Sequence, residues 1–331
     1  MQRLALECIL LAVALTDGTQ AILAQALGAA GNPQQRVRSY LQPFGQGQQR
    51  LLTGEAPGVK VSLLRTECET CPAGPTFVLD VSDERRGTEQ QFKLSNGAGQ
   101  LDEIRIAPNA IAILIGRVDA NTSYITLMDL GSGGVRKEFY AFAPCVSDDN
   151  RLIAFVKPYP LHFTPGVSNE YMVYDVEALW PGGADEKPAG LAASMNAGHP
   201  IYPEAATSRY GDNILANLGE VHSWGSEGFY WLGGEHILAF ADHWHSSVSL
   251  VLADLRGGIP HPLVTVQPLD NEKVANVETC AQYADHLGST FGVDAVNLVS
   301  TDPLTASFAL RQKYPDCPLS VTEIRVHSTK M

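Results

Sequence analysis

Residues 150–157 read NRLIAFVK and are followed at 170–177 by EYMVYDVE, and this pair of segments decides the fold. Two similar pairs are NAIAILIG (109–116) with SYITLMDLGSGG (123–134), and EHILAFAD (235–242) with SVSLVLADLRGG (247–258). Each copy reads as a turn, an apolar strand, a connection and a second strand that ends in an acid. Asp129, Asp175 and Asp254 occupy this closing position, so the chain carries an internal repeat.

The spacing of the copies indicates the size of the repeating unit. If Ile111, Leu152 and Ile237 are equivalent, the copies are offset by 41 and then by 85 residues, and the second offset is about twice the first. A period of about 40–45 residues is typical of a four-stranded propeller blade. A single small twisted sheet cannot bury both of its faces, whereas radial packing against neighbours buries them.

Short apolar segments rich in Val, Ile, Leu, Phe and Tyr alternate with turn residues from Val59 onward. This pattern is typical of many short strands joined by hairpins and predicts an all-β fold. The predicted strands are 59–65, 76–81, 91–94, 103–106, 111–118, 124–130, 135–142, 152–157, 171–176, 236–241, 248–254 and 263–266, with further candidates at 293–299, 306–310 and 321–326. Residues 277–287 read as a short helix.

Two copies of the repeat resemble a known family. VSDDNRLIAF (146–155) resembles the S-P-D-G-x-x-I-A-F phrase of the TolB-like and WD-like β-propellers of bacterial envelopes, and FYWLGGEHILAF (229–240) is a degenerate second copy. The segments YDV (174–176) and ADL (253–255) are similar to the family's Y-x-x-D-L strand. Asp148 stands where Pro is usual and Asn150 where Gly is usual. The resemblance implies a β-propeller fold and almost nothing about function. At a period of 40–45 residues, the length of the chain fits about six four-stranded blades, within a range of five to seven.

The N-terminal segment predicts export. Arg3 precedes an apolar run over residues 4–15 that is interrupted only by Glu7, and small residues follow. This pattern is typical of a signal peptide, and the run is too short for a transmembrane span. The alternative is an amphipathic helix on a cytosolic protein. We predict a signal peptide at 1–30, a polar lead-in at 31–55 and a single β-propeller domain at 56–331, in a secreted or periplasmic protein.

The overall composition excludes some classes of protein. The chain has 331 residues, of which 45% are hydrophobic and 18% are charged, which excludes a disordered chain. Its formal charge of −13 repels phosphate backbones, so we do not expect it to bind nucleic acid.

Removal of the signal peptide would leave five cysteines, so that at least one thiol stays unpaired. An oxidising compartment would permit disulfides, and the favoured pair is Cys280 with Cys317, both in the C-terminal region. Cys68 and Cys71 form a lone C-x-x-C motif with acidic neighbours. A local disulfide or plain loop thiols explain this motif better than a redox centre or half of a zinc site.

Histidine and tryptophan are concentrated between residues 222 and 245. His243 and His245 would face the same side of a strand, and with His222 they could hold a divalent metal ion, with Asp242 or Glu227 nearby. The alternative is a set of aromatic residues that pack between blades, next to a solvated loop. The candidate binding residues of this segment are Trp224, Tyr230, Trp231 and Trp244.

These observations favour an extracytoplasmic β-propeller that serves as a binding scaffold for a protein or carbohydrate partner. The alternative is a metal-assisted hydrolase or lyase that uses the histidine cluster. The sequence contains no G-x-S-x-G nucleophile motif and no phosphate-binding loop, and no catalytic residue is assigned. A third possibility is a purely structural role in the cell envelope.

Overall fold

The structure is a computed structural model that describes most of the chain after residue 47. The described residues are 42–43, 48–66, 76–94, 101–117, 122–156, 171–177, 199–202, 228–234, 236–244, 247–259 and 262–328. The Cα positions divide the chain into Met1–Arg36 and Val37–Met331. The first unit, with the predicted signal peptide, lies outside the described residues, and so do Cys68 and Cys71.

Nineteen strands and two short helices make up the described part of the chain. The strands are β1 (Gln42–Pro43), β2 (Gln48–Ala56), β3 (Val59–Thr66), β4 (Thr76–Asp83), β5 (Thr88–Leu94), β6 (Leu101–Ala107), β7 (Ile111–Arg117), β8 (Thr122–Asp129), β9 (Val135–Val146), β10 (Leu152–Val156), β11 (Tyr171–Asp175), β12 (His199–Tyr202), β13 (Phe229–Leu232), β14 (Ile237–Trp244), β15 (Ser247–Asp254), β16 (Leu263–Pro268), β17 (Phe291–Thr301), β18 (Leu304–Gln312) and β19 (Glu323–His327). The helices are α1 (Asn271–Val274) and a 3₁₀ helix (Ala281–Ser289). Neither is long and apolar enough to cross a membrane.

The strands pair antiparallel with their chain neighbours and form five blades. Blade 1 is β2–β5, with the two-residue β1 paired at its edge beside β2, blade 4 is β13–β16 and blade 5 is β17–β19. Strands β6–β12 form one continuous seven-stranded sheet, and β9 is shared between its two halves. Residues 135–142 pair with β8, whereas residues 142–146 pair with β10. Ala143 has a positive φ of 44° at this junction. We therefore count β6 to the first part of β9 as blade 2, and the rest of β9 to β12 as blade 3.

The strand register confirms the repeat. In blades 2, 3 and 4, the first residue of the second strand lies opposite the closing acid of the third strand. Blade 1 has the same register, although its sequence copy was not recognised. The four pairs are Val59 with Asp83, Ile111 with Asp129, Leu152 with Asp175, and Ile237 with Asp254.

The polar lead-in expected at 31–55 is in part a strand, because β2 begins at Gln48 and belongs to blade 1. Leu52 of this strand is buried against blade 2. Gly54 lies so close to Ile104 that a Cβ atom would come within 2.7 Å of its side chain. A segment rich in glutamine can still form a strand, because only one face of a strand in an antiparallel sheet needs to be apolar.

Successive blades pack face to face, with one apolar core between each pair of neighbours. The four cores contain, in chain order, Leu63, Leu79, Ile104 and Leu114; Ile113, Leu127, Phe155 and Tyr174; Leu152, Val173, Phe240 and Val251; and Ile237, Leu252, Phe291 and Phe308. The first strands of neighbouring blades also touch, since β2 contacts β6 and β13 contacts both β9 and β17. Face-to-face blades with adjacent first strands are the arrangement of a β-propeller. The described residues form five blades, within the predicted range of five to seven.

The connections divide between two edges of the sheets, because successive strands are antiparallel. The turn edge carries the short turns 57–58, 84–87, 108–110, 130–134, 147–151, 233–236 and 302–303. The connection edge carries the opposite strand ends, where the helices and the β18–β19 connection are located. Candidate sites at the two edges are therefore separated by the length of a strand.

A disulfide joins Cys280 to Cys317, the pair favoured from the sequence. Both cysteines are completely buried in the core between blades 4 and 5. The bridge ties the segment before the 3₁₀ helix to the β18–β19 connection. Cys145 is a buried thiol that donates to the carbonyl of Phe229 at 3.4 Å.

Candidate functional site

The structure describes only part of the predicted histidine and tryptophan cluster. His222, Trp224 and His245 lie outside the described residues. His243 and Trp244 belong to β14, but their side chains are not described. Among the described residues, no group of three His, Cys, Asp or Glu side chains could hold a metal ion. The metal site and the hydrolase that depends on it stay predictions.

Tyr230 and Trp231, two predicted binding residues, contact opposite neighbours of blade 4. The Tyr230 hydroxyl donates to the carbonyl of Val293 in blade 5 at 3.0 Å. The Trp231 Nε1–H donates to the carbonyl of Cys145 in blade 3 at 3.1 Å. Adjacent residues of a strand face opposite sides of the sheet, so these two side chains do not share one surface. Both contribute to the packing between blades.

Trp231 also lines an open cleft between blades 3 and 4 at the turn edge. This turn cleft is shallow, with a cavity volume of about 10 Å³, and its lining includes Ser147, Asp148, Asp149, Trp231, Gly234 and His236. Three of these residues come from the β9–β10 turn, and His236 and Gly234 come from the β13–β14 turn. The cleft therefore combines an indole ring, two carboxylates and an imidazole from two blades.

Asp149 is the centre of the hydrogen-bond network in the turn cleft. Its Oδ1 accepts from the Ser147 hydroxyl at 2.6 Å and from the Arg151 amide at 3.1 Å. Its Oδ2 lies 2.7 Å from Nε2 of His236 in the neighbouring blade. Burial opposes ionisation of Asp149, but the bonds from Ser147 and His236 outweigh it and hold its pKa below the usual value. The carboxylate thus fastens the two turns together.

His236 occupies an unusual backbone conformation, with φ of +56°. Gly58 and Ala110 hold the equivalent turn position in blades 1 and 2, with φ of 70° and 58°. A side chain other than glycine in this region costs about 1–2 kcal/mol. The imidazole contacts Asp149 from this position, which gives the strained residue a role in joining blades 3 and 4.

Ser147, Asp149 and His236 are not arranged as a catalytic triad. In a triad the histidine accepts the serine proton and the acid orients the histidine. Here the serine hydroxyl donates to the aspartate instead, and its oxygen accepts from the Leu152 amide at 2.9 Å. This geometry holds a turn in place and does not activate a nucleophile.

The other turns of the same edge are also fixed by aspartates. In blades 1 to 4 the closing acid accepts from the amide two residues later at 2.9–3.0 Å. These acids are Asp83, Asp129, Asp175 and Asp254. The side-chain bond from Arg256 keeps the pKa of Asp254 low, despite its partial burial. The turn edge is therefore a pre-formed surface.

A buried acid lies in the same blade interface, nearer the connection edge. Asp242 is only 4% exposed, and its Oδ1 accepts from the Tyr171 hydroxyl at 2.8 Å. The Tyr171 ring stacks on Phe240 with centroids 4.3 Å apart. Sequence reasoning considered Asp242 only as a neighbour of the histidine cluster. The predicted strand ended at Ala241, so nothing in the sequence indicated that Asp242 is a buried strand residue.

Sequence reasoning also missed Ser147, Asp149 and His236 as a unit, because Ser147 and Asp149 belong to the repeat phrase at 146–155 and His236 begins the predicted strand at 236–241. The available signal was His236 itself, which follows two glycines at the position where blade 1 has Gly58. Contact between two turns that are 87 residues apart in sequence requires the packing of the blades to be known.

The strand order, register and packing thus define a β-propeller protein with a turn cleft between two blades. No protein-family model and no curated protein matches the chain. Among solved structures, the chain is similar to the β-propeller domain of the Trilobed protease from Pyrococcus furiosus, with 8% identity and a TM-score of 0.32. This similarity covers 82% of the present chain and 80% of that chain.

Two further similarities involve longer proteins. The acylaminoacyl peptidase of Pyrococcus horikoshii shares 10% identity over 81% of the present chain, with a TM-score of 0.30. TolB from Acinetobacter baumannii shares 15% identity over 66% of the chain, with a TM-score of 0.28. The chain spans 43% of the length of each of these two proteins. The assignment of the fold rests on the topology described above.

Proposed function

We propose that this chain is an extracytoplasmic binding scaffold that recognises a protein or carbohydrate partner through its turn cleft. The observation that carries the proposal is the pre-formed cleft, in which Trp231 lies beside the carboxylates of Asp148 and Asp149. An indole ring with a few fixed polar groups in a concave site is typical of ligand recognition. Because three donors already hold Asp149, a partner would lose little entropy in ordering the site.

Two observations support an extracytoplasmic location. The Cys280–Cys317 disulfide is completely buried, and structural disulfides are rare in cytosolic proteins. The apolar run after Arg3 has the pattern of a signal peptide. The location is tested by N-terminal sequencing of the protein recovered from the envelope or medium. We expect a mature terminus shortly after the apolar run, and an unprocessed protein found only in the cytosol would contradict this location.

Site-specific photo-crosslinking in cells tests the binding function. A photoreactive amino acid at Asp148, which is exposed in the turn cleft, is expected to give a discrete adduct with one partner. The same amino acid at Glu89, an exposed residue of β5, is the matched control and should give none.

Competition then separates recognition from chance contact. Excess purified protein with Asp148 intact should abolish the adduct, whereas the Asp148→Lys variant should not compete, because it places a cation at the mouth of the cleft. Equal adducts at both labelled positions, or equal competition by the two proteins, would overturn the proposal.

A further inference from the structure

Two tyrosines, the half-buried Tyr283 and the exposed Tyr314, form a stacked pair at the connection edge, far from the turn cleft. The rings of Tyr283 and Tyr314 are stacked, with centroids 4.7 Å apart and planes inclined by 20°. Tyr283 belongs to the 3₁₀ helix and Tyr314 to the β18–β19 connection. Tyr314 is 39% exposed. It is one of the few large hydrophobic side chains that are exposed in the described part of the chain.

A carboxylate is fixed beside the pair. Asp316 accepts from the Tyr283 hydroxyl at 3.2 Å through Oδ1, and from the Gln282 side-chain amide through Oδ2. Burial and the neighbouring Asp316 charge together raise the pKa of Tyr283. Tyr283, Tyr314, Gln282 and Asp316 are called the tyrosine platform below.

The backbone around the tyrosine platform is held from several directions. The disulfide joins Cys280 to Cys317, each three residues or fewer from one of the two tyrosines. The Lys313 amide donates to the carbonyl of Thr290 at 2.9 Å, and the Ser320 amide donates to that of Val274 at 2.8 Å. The rings are therefore presented on a fixed support. Rigid tyrosines give a large amphipathic contact area at low entropic cost, which is the property of residues that dominate protein interfaces.

The aromatic face, the carboxylate beside it and the overall charge of the chain indicate the chemistry of the partner. An exposed tyrosine face attracts a cation, and a carboxylate beside the ring can accept its N–H groups. The chain as a whole carries a formal charge of −13, which draws cationic partners towards it. A planar guanidinium satisfies both features, because it stacks on an aromatic face and donates in its own plane.

We propose that the tyrosine platform binds an arginine side chain carried by a protein partner. The guanidinium stacks on the exposed face of Tyr314 and donates to Asp316. This site is separate from the turn cleft and goes beyond the binding function proposed for that cleft, so either site can fail in experiment without the other.

Fluorescence anisotropy of a labelled peptide, Gly-Arg-Gly-Arg-Gly, tests the site with the purified full chain. We expect saturable binding that weakens as salt rises, and no binding of the same peptide with citrulline in place of arginine. Tyr314→Leu and Asp316→Asn should each weaken binding by about fivefold, the size expected of a surface cation–π contact or charged hydrogen bond.

Another tyrosine pair, in blade 2, supplies a matched control. Tyr124 and Tyr140 lie 4.9 Å apart on blade 2, and Tyr140→Leu should leave peptide binding unchanged. Circular dichroism verifies that each variant is folded, and Tyr314 is exposed enough for its replacement to be tolerated. Equal binding of the citrulline peptide, equal loss in Tyr140→Leu, or no saturable binding would overturn the proposal. Binding of cellotriose that is lost in Tyr314→Leu would also overturn it, because the platform would then be a carbohydrate site.

Discussion

His236 and Asp149 show how a single contact can join two parts of a repetitive fold. The imidazole occupies a backbone conformation that favours glycine, and it lies 2.7 Å from the Asp149 carboxylate of the preceding blade. The local strain persists because the surrounding turn bonds determine the conformation, including the Leu255 amide that donates to the His236 carbonyl at 3.0 Å. A turn residue has thereby become an interface residue.

Asp149→Asn should destabilise the protein at pH 7 by about 1 kcal/mol, the value for a partly exposed charged hydrogen bond. Because folding lowers the pKa of Asp149, the carboxylate stabilises the fold above its unfolded pKa of about 3.9. This stabilisation is lost as pH falls through the lower, folded pKa. Urea unfolding at pH 7 and pH 3 should therefore show a difference from wild type that shrinks in acid.

The adjacent Asp148 is the control for this substitution, because it lines the same cleft whereas the contact with His236 is made by Asp149. Asp148→Asn should change stability by less than about 0.5 kcal/mol at either pH. A loss in Asp149→Asn that is the same at pH 7 and pH 3 would show that the carboxylate charge has no part in the interface.

At the scale of the elements, the β8–β9 turn packs closely against blade 1. Gly133 has a φ of +73°, and a Cβ atom there would lie 2.4 Å from the Phe92 ring. Gly87 has a similar φ of +64° but faces open space. Gly87→Ala should therefore cost about 1 kcal/mol for conformation alone. Gly133→Ala should cost about 1–3 kcal/mol more, through overpacking. Equal losses of unfolding free energy in the two variants would contradict the contact with Phe92.

Strand β13 bonds to both of its neighbouring blades. Tyr230→Phe removes the bond to Val293 and should cost about 1 kcal/mol, whereas Trp231→Phe also loses ring packing and should cost more. The two side chains face opposite cores, so the double variant should lose the sum of the two costs to within about 0.5 kcal/mol. Chemical denaturation of the four proteins measures this cycle. A large coupling energy would mean that the two interfaces are not independent.

The repeat was predictable from the sequence where the strands alternate and close in the same way. Ile111, Leu152 and Ile237 were correctly aligned, since each starts a buried strand and lies opposite an aspartate. The copy of the repeat in blade 1 was not recognised, because β2 is polar on one face. The β2–β3 turn also contains Gly58 in place of the longer turn motif of the other copies. The site was less predictable, because the Asp149–His236 contact depends on how two blades pack, which no local pattern encodes.

At the scale of the whole molecule, the disulfide closes a long loop around the last blade. Cys280 and Cys317 are 37 residues apart, and closing a loop of that length stabilises a protein by about 3–4 kcal/mol in the chain-entropy model. Urea unfolding should show a loss of that size in the Cys280→Ala, Cys317→Ala double variant. Reductant should weaken the wild-type protein to a similar degree and leave the double variant unchanged. An unchanged unfolding midpoint of the wild-type protein in reductant would contradict the structural role of the bridge.

The account depends most on five blades that pack in chain order, each around a central buried second strand. Hydrogen exchange measured by mass spectrometry tests this directly, because protection reports the stability of each strand. We expect slow exchange in all five second strands, β3, β7, β10, β14 and β18, and fast exchange in the exposed turn at 84–87. If any of these five strands exchanged as fast as that turn, the blade would not be packed as described, and the arrangement that builds the turn cleft would be wrong.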